Sequence, residues 1–142
     1  MDRTTWSLFV PGGPKSTQTG SVVRAGGRAF PVRRHTELAN RIALAANGAK
    51  PERFLEGPLA VRLLFLMPKP TSGQAKKRHY PTVRPDLANL EKGLMDALQG
   101  IVFADDAAIC RLAMEKLYGV VPGVMISVEE LSDDGDPKTG GV

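Results

Sequence analysis

The run Pro58-Leu-Ala-Val-Arg-Leu-Leu-Phe-Leu-Met67 is apolar almost throughout and is closed by Pro68 and Pro70. It is too short to cross a membrane, which takes roughly 18 to 20 apolar residues. Its length, and the prolines that stop it, favour a buried strand over a helix. A strand of this composition belongs at the centre of a sheet, so the fold must supply neighbours on both sides of it.

Those neighbours can be read on either side. Trp6-Ser-Leu-Phe-Val10 predicts an opening strand, with Trp6 in the core, stopped by the turn Pro11-Gly12-Gly13-Pro14. Ser21–Ala25 and Arg28–Val32 flank Gly26-Gly27, the spacing of a tight hairpin, because glycine accepts positive φ without steric cost. Leu38, Ile42 and Ala45 or Ala46 predict a helix from Thr36 to Asn47, which Asn47-Gly48 would end. Residues 69–84 show no apolar periodicity and carry Lys69, Lys76, Lys77, Arg78 and Arg84, so they read as a basic loop. A structureless stretch of that length in a small domain usually has a function.

Leu87, Leu90, Leu94 and Leu98 mark one face of a helix from Asp86 to Gln99, ended by Gly100. Residues 108–118 fit a strand or a helix, since their Ala, Met, Glu and Lys are also good helix formers. Val124–Val128 predicts a last short strand. From Ser132 onward no core-forming residue remains and disorder is expected, which gives one domain over residues 1–131 and a tail over 132–142.

The net charge of +4 over 142 residues conceals an uneven distribution. Residues 1–92 hold 16 basic and 6 acidic side chains, whereas residues 93–142 hold 3 and 9. The N-terminal part is therefore +10 and suits a polyanionic partner. The N-terminus is too polar for a signal peptide, and a soluble intracellular protein is expected. One cysteine, Cys110, and two histidines can form neither an internal disulfide nor a Cys/His zinc site, so any metal would be held mostly by oxygen.

The acidic residues that could do this are Asp86 and the pair Asp105-Asp106. With the leucines facing the core, Ala88, Lys92 and Asp96 form an i, i+4, i+8 line on the opposite side of the helix that Asp86 begins. Carboxylates from separate elements could then converge near one lysine, an arrangement that suits Mg²⁺. Plainer roles compete: Asp86 as a helix cap, Asp105-Asp106 as a turn or cap, Lys92 and Asp96 as a surface ion pair, and the basic loop as merely solvated.

Arg84-Pro-Asp-Leu-Ala-Asn-Leu-Glu-Lys92, then Met95-Asp-Ala-Leu-Gln-Gly100, then Phe103-Ala-Asp-Asp-Ala-Ala-Ile109 resembles the signature of the RusA family of Holliday junction resolvases. That pattern runs approximately [KR]-P-D-x-D-N-L-x-K, D-A-L-x-G, D-D-x-x-[IV]. The resemblance implies a small single-domain α+β fold, a mixed sheet packed against two helices, working as a homodimer. It further implies binding of four-way junctions or other branched DNA, and paired nicks made with Mg²⁺, or Mn²⁺ in its place. A cytoplasmic, bacterial or phage-encoded protein would follow.

Carried over by position, Asp86 and Asp106 would be metal-binding carboxylates with Asp105 a close neighbour. Lys92 would lie against the scissile phosphate or orient the attacking water, and Asp96 would be structural. Candidate DNA contacts are Lys15, Arg24, Arg28, Arg33, Arg34, Lys76, Lys77, Arg78 and Arg84, with His79 and Tyr80 possible stacking groups. The sequence departs from the pattern at Ala88, where the family has aspartate. A methyl group cannot ligate a cation, so junction binding with impaired cleavage is expected. The alternatives are a non-catalytic junction-binding or architectural protein and, further off, an unrelated Mg²⁺-dependent enzyme acting on a small phosphorylated molecule.

Overall fold

The computed structural model describes residues 3–14, 21–25, 28–32 and 37–133; for 21–25, 28–32, 74 and 75 only the backbone is described. In chain order the elements are β1 (Thr5–Pro11), β2 (Ser21–Ala25), β3 (Arg28–Val32), α1 (Glu37–Gly48), β4 (Leu59–Pro68), α2 (Leu87–Leu98), β5 (Ile109–Gly119) and β6 (Gly123–Glu130). Short 3₁₀ turns at Gln74–Lys77 and Asp106–Ala108 interrupt the connections on either side of α2.

The apolar run becomes β4, an interior strand with a partner on each side. The sheet order is β1-β6-β4-β5, with β4 antiparallel to β6 and parallel to β5. Leu59, Val61, Leu63, Phe65 and Met67 are buried at every second position, while Arg62 between them is exposed. This is the period-two alternation of a strand with one core-facing side. Val124, Ile126 and Val128 of β6 and Trp6 and Val10 of β1 continue the buried face, and the Trp6 indole N–H donates to Ala49 O at 2.8 Å.

Both helices contribute to the same core. Leu38, Ile42 and Ala46 of α1 and Leu90, Leu94, Met95 and Leu98 of α2 are buried, with Leu87 packed at the margin. The expected mixed α+β sheet with two helices is therefore present. The β2–β3 hairpin also forms, in antiparallel register from Ser21↔Val32 to Ala25↔Arg28. Gly26 and Gly27, which would make its turn, lie outside the described residues.

Residues 109–119, undecided between strand and helix on composition, pair with β4 from Leu59↔Ile109 to Pro68↔Gly119. Tertiary pairing overrides the helix-forming residues here. The stretch 69–84 differs from a plain loop in holding the 3₁₀ turn Gln74–Lys77, and it is fastened to β5, since Tyr118 N donates to His79 O at 2.9 Å. Among the described residues no helix is long and apolar enough to cross a membrane.

Where β1 begins and β6 ends, one carboxylate gathers the hydrogen bonds. Glu130 accepts from Thr4 N at 2.9 Å, from Glu56 N at 2.7 Å, and from both terminal nitrogens of Arg53 at 2.8 and 2.9 Å. The Arg53 hydrogen bonds outweigh the opposing effect of burial and, with the Glu56 and Thr4 amides, hold the Glu130 carboxyl down to about 2 from a usual 4.5. The clasp ties the start of β1, the segment before β4 and the end of β6 into one unit.

Candidate active site

The chain reaches α2 through a loop held from below by a lysine. Lys116 on β5 stands opposite Phe65, at an inward-facing position, and its ammonium donates to Val83 O at 2.9 Å and Pro85 O at 3.0 Å. Those carbonyls immediately precede Asp86, so the register of β5 determines where α2 begins. The helix starts with Asp86 as its N-cap in extended conformation. Its carboxylate does not cap the helix amides; Oδ1 accepts instead from Asn89 Nδ2 at 2.6 Å. This orients an exposed carboxylate at the start of the helix that bears Ala88 and Lys92.

Ala88, Lys92 and Asp96 are all exposed, while Leu90, Leu94 and Leu98 are buried, as the leucine spacing requires. Lys92 and Asp96 do not pair: among the described residues the only ion pair is Arg53–Glu130. Gln99 and Gly100 end the helix, with Gly100 at φ 85, a value that glycine adopts without strain.

The two aspartates after the helix have different environments. Asp105 caps the 3₁₀ turn, with its Oδ1 accepting from Ala107 N at 2.9 Å. Asp106 is anchored through its backbone, its N–H donating to Gln99 Oε1 at 3.1 Å. It lines an open groove of about 260 Å³ together with Glu91 and Met95 of α2 and Cys110 and Arg111 of β5. A second carboxylate thus borders the helix that Asp86 begins.

These groups do not make a ready cation cage. Among the described residues no three His, Cys, Asp or Glu side chains come together in a group able to hold a metal ion. Asp86 and Asp106 are oxygen donors of the kind that Mg²⁺ takes along with substrate phosphates, and the slot that the family pattern fills with aspartate carries the Ala88 methyl.

The basic candidates divide into three groups. Lys76, Lys77, Arg78 and Arg84 are exposed on the loop leading to Asp86, and Arg78 donates to Thr82 Oγ1 at 3.4 Å. His79 and Tyr80 are exposed beside them. Arg24 and Arg28 lie on β2 and β3, of which only the backbone is described, and Lys15, Arg33 and Arg34 lie outside the described residues. Asn89, Gln99 and Lys116 support the site without having been singled out in the sequence. A signal was present for Lys116, as a cation at the next inward position after Leu112 and Met114 once the strand is recognised.

A family model described as endodeoxyribonuclease RusA matches residues 11–129. The uncharacterized protein YqaN of Bacillus subtilis (strain 168) is 33% identical over 100 residues, which cover 64% of this chain and 70% of that protein. The family match takes in the basic loop, α2 and the turn that carries Asp106, and so spans Asp86, Lys92, Asp105 and Asp106. The chain therefore belongs to the RusA family of endodeoxyribonucleases, which bind branched DNA and resolve Holliday junctions.

Proposed function

We propose that this chain binds four-way DNA junctions as a homodimer and that its Mg²⁺-dependent cleavage is impaired by Ala88. The observation that carries this reading is the exposed Ala88 methyl on the face of α2 that also bears Lys92, in the slot that the family pattern fills with aspartate. Mg²⁺ usually keeps several waters and is held by one or two carboxylates together with substrate phosphates. Asp86 and Asp106 would supply the protein oxygens, with Asp105 next to them. When bound, the cation would supply an activated water and neutralise charge on the phosphate.

The remaining roles belong to the chain's own side chains. Asn89 fixes the Asp86 carboxylate, and Gln99 fixes the backbone at Asp106. Lys92, exposed one turn beyond Ala88, would meet the scissile phosphate or orient the water that attacks it. Lys76, Lys77, Arg78 and Arg84 would engage neighbouring phosphates, joined by Lys15, Arg24, Arg28, Arg33 and Arg34. Each phosphate neutralised releases counterions and makes the affinity sensitive to salt. The nuclease unit would span residues 1–131, with 132–142 as an appended tail.

Loss of one metal-ligating carboxylate commonly costs on the order of 4 kcal/mol of transition-state stabilisation, about a thousandfold in rate. Titrating a labelled four-way junction and a linear duplex, in chelator and then in Mg²⁺, separates binding from cutting. The expected result is junction-selective, salt-sensitive binding with feeble cleavage. Absence of binding at low salt would remove DNA as the substrate, and rapid cutting would remove the role given to Ala88. The same position supports a second reading, a junction-binding protein with no catalytic function, which predicts no cleavage even with aspartate restored.

A further inference from the structure

Arg111 borders two depressions at once. One is the groove that holds Asp106 and Glu91. The other, of about 200 Å³, lies on the opposite face of the sheet and is bordered by Arg62, Arg111, Ser127 and Glu129 around Ala60 and Ala113.

The register accounts for this second depression. Ala60 pairs with Arg111 on one side and Glu129 on the other, and Arg62 pairs with Ala113 and Ser127. Paired residues share a face of the sheet, so long side chains surround two alanines too small to fill the space between them. Arg62 and Arg111 are both exposed, and neither forms an ion pair among the described residues. Glu129 shares the depression and stands outside ion-pair distance of both arginines. Two guanidinium groups on one open sheet face repel each other, and their fork of donors matches a phosphate.

Arg111 also sits on β5, the edge strand, whose outer side pairs with no other strand among the described residues. Such an edge is exposed backbone that proteins ordinarily protect. A strand of DNA passing over it would run from the Asp106 groove, past Arg111, to Arg62 without leaving the protein surface.

We propose that a DNA backbone crosses the free edge of β5, with Arg111 and Arg62 binding the phosphates that follow the one beside Asp106. This rests on the junction-binding function above and extends the contact surface round the edge onto the sheet's open face. Arg62 and Arg111 are phosphate-binding residues here, and Glu129 weakens the site by its charge.

The test measures four-way junction affinity against salt concentration for the full chain and for Arg62→Gln, Arg111→Gln, both together, Arg62→Lys with Arg111→Lys, and Glu129→Gln. Each single Gln variant should lower affinity and flatten the slope of log affinity against log salt by about 0.9, the double variant by about twice that. The Lys pair should keep the slope of the unchanged chain, and Glu129→Gln should bind more tightly. Gln variants with unchanged affinity and slope, in a chain that itself binds junctions, would overturn the proposal alone. Failure of the unchanged chain to bind would overturn the function on which it rests. Glu129→Gln removes a negative charge from the same face without altering the arginines, so unchanged binding by that variant would also count against the proposal, even if a Gln variant failed to fold.

Discussion

Glu130 ends β6 and Asp86 begins α2, and the fold treats these two carboxylates in opposite ways. Glu130 is buried and receives four hydrogen bonds from three residues in two other segments. Asp86 is exposed and receives one, from an amide three residues along its own helix. The first is committed to holding the protein together, and hydrogen bonds from protein groups occupy both of its oxygens. The second is oriented and left open to an external ligand. Asp105 and Asp106 repeat the contrast on a smaller scale: one closes a turn with its side chain, and the other lines a groove.

The largest difference should appear between the two neighbours, each replaced by asparagine in a chain carrying Ala88→Asp. Asp106→Asn should remove the restored cleavage by about a thousandfold, equivalent to about 4 kcal/mol. Asp105→Asn keeps an oxygen that can accept from Ala107 N and should cost tenfold or less. Single-turnover rates on a synthetic junction separate the two; equal losses would mean that the turn and the groove do not distinguish them.

Stability should show the reverse order. Glu130→Ala leaves Arg53 and two amides without their acceptor and should destabilise the fold by about 2 to 3 kcal/mol, measured by denaturant unfolding. Since the folded Glu130 carboxyl titrates near 2 and its unfolded counterpart near 4.5, its contribution is complete above pH 4.5 and is lost as the pH falls towards 2. Glu130→Gln has no such titration, so its stability should fall less steeply than that of the unchanged chain across that interval. A parallel pair of curves would mean that the clasp does not operate through the carboxylate.

Smaller effects refine the picture. Lys116→Met releases the carbonyls of Val83 and Pro85 and should cost about 1 to 2 kcal/mol of stability, with a loss of junction affinity from the displaced basic loop. Asp86→Ala should change stability by about 0.5 kcal/mol or less, because its side chain makes no cap bond to the helix. A large loss there would place Asp86 with Glu130 among the structural carboxylates.

The frame of the molecule was legible where apolar spacing carried it. The β4 run gives a buried strand and the Leu90, Leu94, Leu98 row a buried helix face through local sequence alone, and the structure places both in the core. The identity of β5 was not legible, because its side chains suit either element and only pairing with β4 decides between them. The Glu130 clasp was equally hidden, since its partners at Thr4, Arg53 and Glu56 converge through the tertiary fold. At the candidate site, Asp86, Ala88, Lys92 and Asp106 stood out by motif. What distinguishes Asp105 from Asp106 did not, because adjacent identical residues diverge only when one is drawn into a turn.

In the proposed function, one carboxylate on the exposed face of α2 separates a junction binder from a junction cutter. Its most direct test is the single-turnover cleavage rate of a four-way junction in Mg²⁺, with protein in saturating excess, for the present chain and for Ala88→Asp. The rate for Ala88→Asp should be about a thousandfold higher at similar junction affinity, equivalent to about 4 kcal/mol. Equal rates for the two proteins would contradict it.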